Sequence, residues 1–191
     1  MRKDAWAMKR RAIKHYDSLA EIYDSLYREE QTAKIRTALE SLTLRRTDHV
    51  LDVGCGTGFL LEHIGNSVRL TVEADASRKL LKTAAARSKY LNLFTTLLIR
   101  ADADYLPFRN ETFDKIFAFT LLQNMPDPVA TLQEITRVAK KESAIVVTGL
   151  KKSFCEEKFK SLLAEAKLEP FITFLSEHEK DIISVCRKAE K

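Results

Sequence analysis

The sequence predicts a three-layer α/β fold, in which helices cover both faces of a seven-stranded, mostly parallel sheet whose last strand runs antiparallel. Three observations carry this. Short apolar, β-branched segments alternate with helix-period segments five times along the 191 residues, a pattern that implies parallel strands joined by crossover helices. The final strand-like segments, "PFITFLS" and "DIISVCRK", are separated only by the polar "EHEK", too short for a crossover, so they pair antiparallel. Three of the chain's five glycines, Gly54, Gly56 and Gly58, alternate within "VLDVGCGTGFLLEHI" (residues 50–64), between the first strand and the helix after it.

Residues 5–27 and 30–42 read as helices, because Ile13, Tyr16, Leu19, Ala20 and Tyr23, then Ile35, Ala38, Leu39 and Leu42, recur at three- and four-residue spacings. "HVLDVG" is a short buried strand, and "FLLEHIG" a helical turn or two ending at Gly65. "VRLTVEAD" alternates as a second strand, after which Ser77 caps the helix "RKLLKTAAARSKYL". "LFTTLLIRADA" is a third strand and "TFDKIFAFT" a fourth. "DPVATLQEITRVAKK" is a helix with Pro128 in its first turn. "SAIVVTGL" is the fifth strand, residues 155–168 a helix, and the antiparallel pair closes the chain. No internal repeat or low-complexity stretch divides it, so residues 1–191 form one domain: N-terminal helices over 1–44 and an α/β core over 45–191.

A content of 45% hydrophobic and 31% charged residues describes an ordinary globular chain. The longest apolar runs, such as 97–99 and 144–147, are far too short to span a bilayer, and residues 1–14 lack the apolar core of a signal peptide. Cys55, Cys155 and Cys186 are odd in number and widely spaced, without the spacing of a metal site. A reduced, cytoplasmic protein without metal is the simplest expectation. Arg2, Lys3, Lys9, Arg10, Arg11 and Lys14 stand against Asp4 alone in residues 1–14, which accounts for the whole net charge of +5. That segment is either a solvated helix or a phosphate-attracting arm able to contact RNA.

In an open α/β sheet, ligands sit beyond the carboxyl ends of the strands, where strand order reverses. The glycine run falls there, with Asp52 at the strand end. Glycines at alternate positions let the loop bend and leave bare backbone N–H groups facing a ligand. "EADAS" ends the second strand with Asp75, 21 residues after Gly54, where an acid can accept both hydroxyls of a ribose. The dinucleotide fingerprint G-x-G-x-x-G does not fit, because Phe59 stands three residues after Gly56. A nucleoside ligand without a pyrophosphate fits better.

"VLDVGCGTGFLLE" resembles the first motif of the class I S-adenosylmethionine-dependent methyltransferases. The resemblance continues through "VEADAS", "RADADYLPFRNETFDKIFAFTLLQNMPDP" and "LQEITRVAKK", over roughly residues 16–150, in the manner of the type 11 group that includes quinone C-methyltransferases. It implies a Rossmann-like methyltransferase fold and S-adenosyl-L-methionine as cofactor. It implies that Asp52, Gly54, Gly56 and Gly58 cradle the methionine moiety and ribose edge. Asp75 would take the ribose hydroxyls and Ala76 would lie against the adenine. Asp102 would accept from the adenine amino group with Ala103 beside it, and Thr120 and Leu121 would lie under the sulfonium. "HYDSLAEIYDSLY" resembles the group's aromatic helix that folds over the cofactor; Tyr16, Tyr23 and Tyr27 form one helical stripe. Tyr16 or Tyr23 then touches the cofactor, unless the three are core aromatics with hydroxyls at the rim.

Methyl transfer from a sulfonium draws its reactivity from the cofactor, and the protein supplies alignment, desolvation and, where needed, a base. Gln123 and Asn124 either face the substrate or cap the turn before Pro126; their amides are not bases. His15 is a candidate base if the first helix closes over the pocket, while His63 and His49 lie on the wrong side or in a loop. No catalytic base is assigned. The "N-P-P-[FY]" signature of amino-directed enzymes is absent, and the turn "AKKESA" lacks the glycines usual before the fifth strand. Almost nothing is inserted between the fifth strand and the last pair, which leaves an open cleft suited to a macromolecule. The third strand, 93–100, is long, apolar and without Pro or charge until its end, and such an edge is protected or used for pairing. Some translation-related methyltransferases of this superfamily take a small zinc-ribbon activator protein along that edge. Three readings stand: a methyltransferase acting on RNA or a translation protein, a small-molecule, quinone-like methyltransferase, and a non-catalytic protein that binds S-adenosylmethionine.

Overall fold

The computed structural model describes residues 2–175 and 180–189. Its seven strands are β1 (His49–Val53), β2 (Leu70–Asp75), β3 (Thr96–Arg100), β4 (Phe113–Ala118), β5 (Ala139–Leu150), β6 (Leu168–Phe174) and β7 (Asp181–Lys188). They lie in the order β3-β2-β1-β4-β5-β7-β6, with β7 antiparallel to both its neighbours and every other pairing parallel. Strand order reverses between β1 and β4, which opens the ligand crevice of such sheets beyond their carboxyl ends.

Alternate residues of the central strands feed two cores. Leu51, Val53, Ile116 and Val147 pack with Leu132 and Ile135 of α5 (Pro128–Val138) and Phe159 and Leu163 of α6 (Glu156–Glu165). Val50, Phe117, Val146 and Ile183 face the other way. They meet Ile35 and Ala38 of α2 (Tyr23–Glu40), Ile64 of the short α3 (Leu61–Ile64) and Leu80 of α4 (Arg78–Tyr90). Burial on both faces explains why these strands read as continuous apolar runs. Ser77 caps α4 by accepting from Leu80 N at 3.1 Å, and Asp127 caps α5 by accepting from Ala130 N.

Several boundaries differ from expectation. The first helix, α1 (Arg2–Leu19), ends at a corner over residues 20–22, and α2 then runs without a break through residues 28 and 29. Apolar spacing continues across that corner and no Gly or Pro marks it, so periodicity could not reveal it. The third strand is ordered only over Thr96–Arg100, because Leu93 is tied back by its N–H to Ser88 O at 3.0 Å. The segment "AKKESA" is no separate turn: α5 stops at Val138, and β5 starts at Ala139 with a bulge that moves the partner of Lys115 to Ala144. Lys140 ties that bulge to both oxygens of Asp114 at 2.8 Å. Helix α6 ends at Glu165, so Leu168 begins β6. Pro170 is tolerated there because β6 is an edge strand and its register shifts between Pro170 and Ile172. Residues 176–179, which hold Ser176 and most of "EHEK", lie outside the described residues. No described helix is long and apolar enough to cross a membrane, and no cluster of potential metal ligands occurs among the described residues.

Candidate active site

A cavity of about 310 Å3 lies over the carboxyl ends of β1 to β4, roofed by α1. Its floor begins with the glycine loop. Gly54 N and Cys55 N both donate to Ala74 O, at 2.8 and 3.2 Å, which draws the loop against the end of β2. Gly56 N donates to Asp75 Oδ2 at 2.9 Å and Ser77 N to Asp75 Oδ1 at 2.7 Å. Burial pushes the Asp75 carboxyl up, while these backbone donors pull it down. Gly54, Gly56 and Gly58 all have positive φ, at 74°, 57° and 78°, where other residues are strained. A Cβ on Gly58 would lie 3.1 Å from Ala84 Cβ, whereas one on Gly56 would meet only Tyr23 at 3.9 Å. The first glycine admits α4; the second leaves space on the cavity side.

The far end of the cavity is built around Thr120, just past β4. Its φ is 55°, an outlier for a β-branched residue that costs about 1–3 kcal/mol. Five hydrogen bonds hold it there. Its N–H donates to Thr148 Oγ1 at 2.7 Å, and its hydroxyl oxygen accepts from Gln31 Nε2 at 3.1 Å and Lys34 Nζ at 3.0 Å. Its carbonyl accepts from Gln123 Nε2 at 2.8 Å and Asn124 Nδ2 at 3.0 Å. Asn124 Nδ2 also donates to the Tyr16 hydroxyl at 3.1 Å, which joins the floor to α1.

Of the residues expected at the site, Gly54, Gly56, Asp75, Ala76, Asp102, Ala103, Thr120, Leu121, Asn124, Tyr16 and Tyr23 line this cavity. Four do not. Asp52 lies beneath the loop, 4% exposed and paired in register with the fully buried Glu73; burial and then the Asp75 charge push its carboxyl up to about 8. Gly58 packs on α4, Gln123 folds back on Thr120, and His15 points outward, exposed on α1. The basic segment is part of α1 rather than a free arm. Lys9 turns inward, its ammonium 2.6 and 2.8 Å from the two oxygens of Asp102 and paired with Asp104 as well. Trp6, Lys9, Ala12, Ile13 and Tyr16 share the face of α1 that roofs the cavity. Helical spacing contained that stripe, but Trp6 and Lys9 stood among charges that masked it.

The sequence profile of a family described as "Methyltransferase domain" matches residues 51–147. The malonyl-[acyl-carrier protein] O-methyltransferase of Marinomonas sp. (strain MWYL1) is 30% identical over 148 residues, which cover 76% of this chain and 54% of that protein. The demethylmenaquinone methyltransferase of Staphylococcus carnosus (strain TM300) is 29% identical over 142 residues, 70% of this chain and 58% of the relative. The chain thus spans about half the length of the curated relatives it matches. Among solved structures, the methyltransferase in complex with the Haloferax volcanii Trm112 methyltransferase activator superposes with a TM-score of 0.79 at 16% identity, over 92% of this chain and 98% of that one. That likeness shows the fold: an α/β Rossmann-like sheet ordered 3-2-1-4-5-7-6. With its profile match over half the chain and its switch-point cavity floored by the glycine loop, the chain belongs to the class I S-adenosylmethionine-dependent methyltransferases.

Proposed function

We propose that the chain binds S-adenosylmethionine in the α1-roofed cavity and methylates a small molecule. The observation that carries the cofactor part of this reading is the α1-roofed, partly open cavity of about 310 Å3 at the glycine loop, the size of a pocket for one small ligand. The small-molecule acceptor is supported by the relatives' names: one acts on demethylmenaquinone and the other on a malonyl group borne by the acyl-carrier protein.

The residues fit the cofactor. Asp75, oriented by the amides of Gly56 and Ser77, keeps lone pairs for ribose hydroxyls. Ala76 and Ala103 offer apolar walls to the adenine, and Asp102 accepts from its amino group. Gly54 and Gly56 leave room for the methionine moiety, with Asp52 supporting their loop from below. Thr120 and Leu121 lie beneath the sulfonium, Gly58 holds the loop on α4, and Tyr16 and Tyr23 close over the cofactor. When bound, the cofactor supplies an electrophilic methyl group. The chain aligns the acceptor and excludes water. Asn124 is the amide that orients the acceptor, with Gln123 behind it.

No side chain of the described wall beside Thr120 takes a proton at neutral pH. Burial raises both the Tyr16 and the Tyr23 hydroxyl above their usual range, and Asn124 is an amide. The acceptor therefore arrives already nucleophilic, as an enolate, carboxylate, phenolate or free amine.

A second reading takes a macromolecular acceptor, such as RNA or a translation protein, with a small zinc-ribbon activator on the β3 edge. Tyr90, Phe94 and Leu97 are 84%, 92% and 52% exposed beside that edge, and the structural neighbour named above is held in complex with an activator. Calorimetric titration with S-adenosylmethionine tests the common core of both readings. Micromolar binding that Asp75→Ala abolishes supports it, and a folded chain that binds nothing overturns it. Methyl transfer to demethylquinones or carrier-bound acids, against transfer to bulk tRNA, then separates the two.

A further inference from the structure

Helix α1 is held over the cavity without a core of its own. Every residue from 4 to 19 keeps some exposure, and beside the packing of Tyr16 on the core and on Tyr23 its fastenings are polar. Asn124 Nδ2 donates to the Tyr16 hydroxyl at 3.1 Å, Ser77 Oγ donates to Asp17 Oδ1 at 2.5 Å, and Lys9 reaches the loop after β3.

The Lys9 contact differs from the others in what it occupies. Its side chain is only 11% exposed, and its ammonium spans both oxygens of Asp102, at 2.6 and 2.8 Å, while also pairing with Asp104. Asp102 Oδ1 additionally accepts from Asp104 N at 3.1 Å, and Asp104 Oδ1 accepts from the Thr131 hydroxyl at 2.5 Å. The ammonium also lies 5.9 Å from the centre of the Trp6 ring and 5.8 Å from that of Tyr105, within range of an attraction between cation and ring. Lys9, Trp6 and Asp102 all line the cavity. A positively charged donor thus sits where a neutral amino donor of a ligand would reach the same carboxylate.

We propose that Lys9 is an internal competitor for the adenine end of the site: its ammonium occupies Asp102 in the free protein, and the adenine amino group must displace it. This rests on the cofactor reading given above. A contact present only in the free state lowers apparent affinity by the free energy it contributes there. The contact is a charge-assisted, largely desolvated hydrogen bond, so its removal is expected to raise affinity about tenfold. Lys9 is then a residue that sets cofactor affinity through Asp102, not one that performs chemistry.

The test is calorimetric titration of S-adenosylhomocysteine into the wild-type chain, Lys9→Met and Lys9→Gln, with a thermal melt of each. Tighter binding by about tenfold in Lys9→Met, and a gain in Lys9→Gln, which keeps most of the reach without the charge, establishes the competition. Unchanged or weaker binding in a folded Lys9 variant, with wild type binding normally, overturns it and leaves the cofactor reading standing. If neither wild type nor the folded variants bind, the cofactor reading itself fails. Should Lys9→Met not fold, Lys9→Gln decides the matter by the same criterion.

Discussion

Lys34 of α2 and Asp181 of β7 form an ion pair at 2.7 Å with side chains 3% and 0% exposed, and the same ammonium donates to the Thr120 hydroxyl at 3.0 Å. The pair therefore links the N-terminal helices, the antiparallel strand and the strained residue at the end of β4. Breaking a buried pair from one side leaves an uncompensated charge. Lys34→Met is expected to cost about 3–5 kcal/mol in urea unfolding, and the double variant Lys34→Met with Asp181→Leu to recover most of it.

The glycines of the loop separate by role. Gly58→Ala places a methyl 3.1 Å from Ala84 Cβ at a φ of 78°, so it lowers stability by about 1–3 kcal/mol through backbone strain and crowding. Gly56→Ala carries the backbone strain at φ 57° but has open space ahead of it. Its effect is expected chiefly on the ligand: thermal melts shift less than for Gly58→Ala, while S-adenosylmethionine affinity falls at least as far.

Asp52 and its register partner Glu73, both buried carboxyls pushed above the ordinary range, make stability fall with rising pH. Burial, then the charge of Asp75, holds the Asp52 carboxyl at about 8, against 3.8 for an ordinary aspartate. Between those values the folded chain keeps a proton that the unfolded chain has released, so stability declines as pH rises through that window and levels off above it. Melts between pH 5 and 9 measure the slope. Asp52→Asn is expected to make it shallower, while the buried Glu73 and Asp75, also raised, keep part of the decline; an equally steep decline in that variant assigns the titration to those two.

The β3 edge carries its apolar side chains at little structural cost. With Leu97 52% and Phe94 92% exposed, Leu97→Lys and Phe94→Ser are expected to change stability by no more than about 0.5 kcal/mol. If an activator seats there, both variants lose co-purification with it on size-exclusion chromatography. Retained co-purification places the partner elsewhere.

Much of this is legible in the sequence alone. Apolar strands buried on both faces, the Ser77 cap, Pro128 in the first turn of α5 and the short link before β7 are local signals. Local geometry alone decides them. The glycine run and Asp75 were legible for the same reason, because a tight turn and a strand-end acid leave their mark in adjacent residues. The bulge at the start of β5 was not, since Lys140 and Ser143 look like turn residues until Asp114 of the neighbouring strand supplies the partner.

By itself, then, the sequence determined the class of fold, the antiparallel ending, the place of the cavity and the family, because each rests on residue periodicity or on a motif contiguous in the chain. Only the tertiary structure decided which charges belong to the site. Lys9 meets Asp102 across 93 residues and Lys34 meets Thr120 across 86. Nothing local distinguishes those lysines from solvated ones, since an ammonium finds its carboxylate or hydroxyl only after the helices have closed over the sheet.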